Sequence, residues 1–512
     1  MPKPPSPGPS RETSTGSLFT DASWRAGGYA LAMLAKFALT PVLARLLSEE
    51  EFGVAAIAFS IVLLFFMVGY AGIPQALVIA REDKPELWST AFWLNLAIGL
   101  VFMVLSFVGA PYLAEAVHTP GATPIIQAFA LLIPLQLVQS IGWARLTRDR
   151  RHQRLAVADI SSEIAGAVCA VIAALAGWGV WSLVVQQFVS LGIRAPICLW
   201  RTGLAIRPHV AFSDIRPYAA FSFNVLLTDL CTFLTQGLPT FILGRSFSPA
   251  AVGVFDIARR LAGLPRMILS SSISVTLLPA FVQLRDDAAK FKRAVLRSIH
   301  LANAIQAPAY FGLAAIGDPA IRFLMGERWA AGGIIVTLVA ADMGVRSVLN
   351  GTDPYFSSLK QSEKNLVRSL VLAASAGTGA SLGAALGDPA MVAAGILLAD
   401  LIVVPVIYIR WMKHVGARHG DGALSALKPV VAAALMAGTV WGGLHGLDAL
   451  QDLQGLRLAI GITMGVALYI LIMVIMDRAT LMDIIGLLRP RAAALQTPRR
   501  AEADLYTAGL RR

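Results

Sequence analysis

Two stretches lying two hundred residues apart decide how the chain folds: LTPVLARLLSEEEFGV at 39–54 and PTFILGRSFSPAAVGV at 239–254. Thr40 aligns with Thr240, Leu43 with Leu243, Arg45 with Arg245, Ser48 with Ser248, and Gly53-Val54 with Gly253-Val254. In each, an apolar run ends, a serine follows, and another apolar run begins. Ser48 with Glu49-Glu50-Glu51 reads as a capping box, and Ser248 precedes Pro249 at the favoured first position of a helix. A match that joins the end of one apolar run to the start of the next points to an internal duplication.

The surrounding sequence sets the solvent. Of 512 residues, 56% are apolar and 14% charged, with a mean hydropathy of +0.67; soluble domains carry about 25% charged residues. So little polar surface excludes a cytosolic enzyme and a disordered scaffold alike. A helix needs about 20 mostly apolar residues to cross the hydrocarbon core. Such runs fall near 23–46, 52–79, 88–110, 123–144, 155–176, 179–200, 217–244, 250–282, 298–316, 331–357, 366–386, 390–410, 428–446 and 457–476. The expectation is an all-α polytopic membrane protein of about 14 transmembrane helices.

The duplication joins the first two spans to the seventh and eighth, which implies two six-helix repeats followed by two extra helices. Because six is even, the repeats share one orientation, a layout used by secondary transporters with substrate between the halves. The expected divisions are a polar, Pro/Ser-rich cytoplasmic tail (1–20), an N-terminal lobe (21–205), a C-terminal lobe (206–412), two further spans (413–476) and a basic cytoplasmic tail (477–512). The N-terminus lacks the basic-then-apolar order of a cleaved signal peptide, so the first span serves as the insertion signal. The last tail is suited to lying on anionic lipid headgroups.

The net charge of +12 is topological. Alternate loops carry twenty-two Lys/Arg, and the opposite loops only Arg45, Arg245, Arg322, Arg328 and Arg457. That asymmetry places both termini in the cytoplasm, and no nucleic-acid partner is needed to explain the charge. No P-loop or HExxH motif occurs, and Cys169, Cys198 and Cys231 sit singly in apolar runs. No cofactor, metal site or catalytic residue is expected.

Charges inside spans are the informative ones, since each costs roughly 2.5–3.5 kcal/mol unless it meets a partner or a wet cavity. Arg25, Lys36 and Thr40 share one face of the first span. The seventh carries Asp229, Thr232, Gln236 and Thr240, and the eighth opens with Asp256, Arg259 and Arg260. The tenth carries Asp342, Arg346, Asn350 and Asp353 as a stripe. Together these spans would line a polar cavity between the halves. Arg25, Lys36, Arg260 and Arg346 are the candidate lumen cations; Asp229, Asp256, Asp342 and Asp353 are candidates for ion coupling or lumen pairing. The competing structural account is that Asp256–Arg260 and Asp342–Arg346, each at i,i+4, only lock helices. Asp159 and Glu163 are expected to pair with the basic loop between the fourth and fifth spans, and His300 to sit at the membrane interface.

The segments GVFDIARRLAGLP (253–265), LLPAFVQLRDDAAKFKRA (277–294), GDPAIRFLMGERWAAGG (317–333), GWGVWSLVVQQ (177–187) and ARLLSEEEFGVAAIA (44–58) together resemble the polysaccharide transporters of the oligosaccharide-flippase (Wzx) type. These belong to the multidrug/oligosaccharidyl-lipid/polysaccharide exporter superfamily. The resemblance runs from about residue 17 to about residue 410. It implies a bacterial inner-membrane flippase for a polyprenyl-diphosphate-linked oligosaccharide destined for O-antigen, capsule or exopolysaccharide. A polymerase and glycosyltransferases would be its partners. It also implies departures: Asp256 stands where a small polar residue is usual, and GLPTFILGR lacks the acid or amide common before the Gly-Arg. The alternatives are a multidrug or peptidoglycan-precursor exporter of the same superfamily and, further off, a membrane-embedded polysaccharide polymerase or ligase.

Overall fold

A computed structural model describes residues 37, 39–80, 82–200, 202, 204, 206–266, 277, 281, 284, 287–359, 361–417, 427–446 and 453–488. Every regular element among them is helical, as apolar surroundings demand: only a helix or a closed barrel satisfies its own backbone groups in lipid. In chain order the helices are α1 (Glu49–Tyr70), α2 (Ile73–Ile79), α3 (Pro85–Ala116), α4 (Thr123–Ala130), α5 (Leu132–Arg148), α6 (His152–Leu175) and α7 (Trp181–Leu199). They continue as α8 (Ala219–Ser246), α9 (Pro249–Ala262), α10 (Ala288–Ala315), α11 (Gly317–Met325), α12 (Gly332–Arg346) and α13 (Thr352–Ser358). The series ends with α14 (Ser362–Ala384), α15 (Pro389–Val415), α16 (Lys428–His445) and α17 (Gln454–Leu488).

Ten helical segments among the described residues are long and apolar enough to cross a membrane. Helices α10 and α16 occupy two more of the expected spans. The first expected span, with Arg25 and Lys36, lies almost wholly outside the described residues, as does the second half of the eighth.

The duplicated motif forms the centre of the fold. Ser48 Oγ accepts from the Glu51 amide at 3.2 Å, while Glu51 Oε2 accepts from the Ser48 amide at 2.7 Å, completing the capping box. Ser248 Oγ accepts from the Ala251 amide at 3.4 Å. The two capped helices, α1 and α9, cross at their glycines. A Cβ on Gly53 would lie 1.7 Å from the Pro249 carbonyl oxygen, and one on Gly253 would lie 2.0 Å from that of Glu49. Residues 49 and 249, like 53 and 253, are equivalent in the duplication, so each copy packs on the other in the same way. Backbone touches backbone, as small residues allow between membrane helices.

All five arginines of the sparsely charged loops are tied down at this end. Arg45 donates to the Phe323 carbonyl, Arg245 to Ala116 and Arg328 to Leu47, at 2.9, 3.1 and 3.2 Å. Arg322 pairs with Asp318 at 2.8 Å, and Arg457 approaches the same acid at 3.9 Å. Trp329, fully buried, donates its indole N–H to Ala44 at 2.8 Å and packs edge-on against Phe52.

Elsewhere α6 packs on α7, α14 on α15 and on α8, and α16 on α10 and α17. The second span is interrupted: Ala71 and Gly72 take left-handed φ values of 43° and 68° between α1 and α2, and Gly72 lies against the backbone of Ser222 in α8. Helix α17 breaks at Asp477, where the backbone is non-helical. Its carboxylate accepts from the Thr480 amide at 3.3 Å, capping the continuation, and also meets His300 of α10 at 2.8 Å. His300 is thus a structural tie between α10 and α17.

Candidate functional site

The polar residues converge on a cavity of about 440 Å³. Its walls come from α8 (Thr235, Gln236, Pro239), α9 and the residues after it (Arg259, Arg260, Arg266), α10 (Tyr310), α12 and its extension (Asp342, Arg346, Asn350), α14 (Arg368) and α15 (Ala393, Ile396). Spans seven, eight and ten line it as the sequence suggests and nine, eleven and twelve join them, but every lining residue among those described belongs to the C-terminal lobe, so the cavity sits inside that lobe and not between the halves as expected. Five arginines line it, against one carboxylate, Asp342.

Helix α9 supplies two of the cations from one turn. Asp256, 5% exposed at its side chain, accepts from Arg260 Nε at 2.6 Å and Arg259 Nη2 at 3.2 Å. Arg259 also donates to the Gln236 carbonyl on α8 at 2.6 Å, three residues before the proline in that helix. Asp256 itself does not line the cavity: it holds both guanidinium groups from behind.

The same arrangement recurs on α12. Arg346 Nε lies 3.1 Å from Asp342 and also meets Asp400 of α15, whose other oxygen accepts from Ser375 of α14 at 2.6 Å. Asp400 is fully buried. The local pair expected at i,i+4 is therefore half of a network linking three helices. Asn350 bonds Gln306 of α10.

Asp353 does not line the cavity. It pairs with Arg368, which also donates to Thr352 Oγ1 at 2.7 Å. Arg266 lines the cavity, is exposed, and makes no ion pair among the described residues. Asp229, half-buried on α8, likewise makes none. Among the described residues no three His, Cys, Asp or Glu side chains converge where a metal could be held.

Arg266, Arg368 and Asp400 belong to this cluster without having been singled out by their sequence pattern. Asp400 had a signal, a lone acid in the apolar run GILLADLIVVP. Arg368 reads as an ordinary loop cation, and only the packing of α14 turns it inward. Asp159 also pairs with Arg194 of α7, at 2.9 Å, because α6 and α7 pack along their length and bring the two charges together.

A bundle of membrane-length helices around a cation-lined cavity, with no strand among the described residues, is the architecture of a polytopic transporter. Its fold is that of the Lipid II flippase MurJ in an inward closed conformation, with 91% of this chain and 99% of that one covered at a TM-score of 0.70 and 14% identity. An inward-facing multidrug resistance MATE family transporter of the MOP superfamily matches over 79% of this chain and 96% of its own, at a TM-score of 0.54 and 15% identity. Residues 42–332 match the family described as Polysaccharide biosynthesis protein. The chain is also 31% identical over 463 residues to the Succinoglycan biosynthesis transport protein ExoT of Rhizobium meliloti (strain 1021), covering 90% of this chain and 93% of that protein. It belongs to the polysaccharide biosynthesis protein family, and the resemblance read from 44–58, 177–187 and 253–333 is borne out.

Proposed function

We propose that this protein is a flippase that carries a polyprenyl-diphosphate-linked oligosaccharide from the cytoplasmic to the periplasmic leaflet of a bacterial inner membrane, for O-antigen, capsule or exopolysaccharide synthesis. The observation that carries the reading is the cavity wall: five arginines face one carboxylate, with further acids set behind them. Guanidinium forks match phosphate oxygens bidentately; Asp256, Asp342, Asp400 and Asp353 balance four of the five charges, and Arg266, with no ion pair among the described residues, leaves the wall net positive toward a diphosphate. A cationic drug would require the opposite sign. Kinship to a succinoglycan transport protein favours an export sugar over a cell-wall precursor.

The basic loops face the cytoplasm, with both termini on that side. The lobes 21–205 and 206–412 rock about the Gly53–Gly253 crossing, opening the cavity to each leaflet in turn. Arg25 and Lys36 of the first span, outside the described residues, supply cations from the other lobe. Residues 413–476 add the two extra spans, and the polymerase and glycosyltransferases of the pathway work beside the protein. An inside-negative potential drives an anion outward by roughly 2.3 kcal/mol per charge per 100 mV. Of the candidate coupling acids, Asp256, Asp342 and Asp353 each hold an arginine, which leaves Asp229 for a coupling ion.

Arg266→Ala is the cleanest test, because its removal strands no buried acid. In a strain lacking the chromosomal gene, this variant at normal membrane level restores less than a tenth of the surface polysaccharide. Full restoration by both Arg266→Ala and Arg260→Ala would overturn the reading.

A further inference from the structure

A second cavity, of about 350 Å³, opens between α14 and α15 at the end of the bundle where the basic loops lie. Its floor is apolar and turned outward: Val367 is 59% exposed and Ile402 72%. Its rim is cationic. Lys364 at the start of α14 and Arg410 near the end of α15 line it, and neither makes an ion pair among the described residues. Lys364 Nζ stands 5.9 Å from the ring centre of Phe356, and the His414 ring meets the same phenyl at 6.1 Å. Among the described residues no carboxylate lines this groove. Trp411, 2% exposed, also lines it, and its buried indole N–H has no hydrogen-bond partner.

Two cations without an ion pair among the described residues and an outward apolar trough describe a ligand with a phosphate at one end and a hydrocarbon chain at the other. We infer that the groove between α14 and α15 is a binding site for an anionic phospholipid of the leaflet facing the basic loops. The phosphodiester lies between Lys364 and Arg410, and an acyl chain follows Val367, Val371, Ile402 and Val406.

A zwitterionic headgroup would bring its own ammonium against the two cations, which selects the anionic class. Arg368 lines both this groove and the arginine cavity, but Asp353 and Thr352 hold it. The headgroup is therefore retained at the rim instead of passing inward, as a resident lipid would be and a transported one would not. The inference rests on the orientation proposed above, and not on which sugar lipid is moved.

The test is native mass spectrometry of the full-length protein in detergent, titrated separately with phosphatidylglycerol, phosphatidylcholine and undecaprenyl phosphate. Phosphatidylglycerol is expected to be retained in preference to phosphatidylcholine. At about fivefold per surface cation, Lys364→Ala with Arg410→Ala weakens it on the order of 25-fold. Lys364→Arg with Arg410→Lys keeps the charges and retains the lipid, which separates charge loss from misfolding. Equal retention of phosphatidylcholine, or undiminished phosphatidylglycerol on the double alanine variant, would overturn the site. So would displacement of phosphatidylglycerol by equimolar undecaprenyl phosphate, which would assign the groove to the carrier. Arg266→Ala leaves phosphatidylglycerol retention unchanged, so failure of the transport reading and failure of the lipid site are told apart.

Discussion

Helices α1 and α9 are the same motif put to two uses. Each begins at a capping serine, and each sets a glycine against the other's first turn, so the two backbones cross in a matched pair of contacts. Their side chains then diverge. Where α9 carries Asp256, Arg259 and Arg260, the equivalent positions of α1 are Ala56, Phe59 and Ser60. Phe59 packs edge-on against Phe129, and Ser60 returns its hydroxyl to the Ala56 carbonyl at 2.5 Å. Accordingly α1, with Ile57, Ser60, Ile61 and Leu64, borders an apolar cavity of about 260 Å³, whereas Arg259 and Arg260 border the arginine cavity. What the duplication shares is the backbone contact that joins the halves. What it has let diverge is the chemistry presented one turn further along.

The largest break in this comparison comes from removing the cations of α9. Arg259→Ala with Arg260→Ala leaves Asp256 buried and unpaired, a loss of about 3–5 kcal/mol. Ser60→Ala, at the equivalent place in α1, is nearly neutral because a hydroxyl bonded to its own helix adds little. Unfolding of the detergent-solubilised proteins measures both, and equal effects would remove the asymmetry.

The shared part is tested next. Gly53→Ala and Gly253→Ala each force a Cβ onto a backbone oxygen that cannot step aside, at about 1–3 kcal/mol apiece. The two melting points should fall by similar amounts. A variant that melts like the parent would dissolve the crossing.

Smaller again are the caps. Ser48→Ala costs about 1 kcal/mol, and Ser248→Ala less, since its bond is longer and Pro249 already presets the first turn. The smallest effect lies away from both helices. Hydrogen bonding to Arg145, at 2.6 Å, holds the Asp83 carboxyl below the ordinary aspartate range. The folded state therefore gains from this group at pH above the unfolded carboxylate's pKa, and loses that gain as pH falls through the lower folded value. Asp83→Asn should flatten the pH dependence of stability below about pH 4 and leave it unchanged at pH 7.

Much of the site was legible where its chemistry is local. Asp256 with Arg260 and Asp342 with Arg346 are four apart, so helix geometry alone brings them together. The serine caps depend on residues three positions away. Asp400 and Arg368 were not legible as site residues. Their partners are 54 and 15 residues distant in sequence, and whether such a charge turns to lipid, loop or cavity depends on how α12, α14 and α15 pack. Asp159 teaches the same: its ion pair with Arg194 spans 35 residues of sequence and depends on how α6 and α7 pack.

The sequence by itself determined the solvent, the helical class, the capped starts of α1 and α9 and their relation by duplication. These follow from apolar length, short-range capping and residue identity, none of which needs a third dimension. Tertiary structure alone decided that Gly53 and Gly253 touch, that five arginines and Asp342 line one cavity with Asp256 and Asp400 set behind, and that two cations rim an apolar groove. Those facts depend on the rotation and depth of each helix against its neighbours, which side-chain packing fixes and a one-dimensional pattern does not contain.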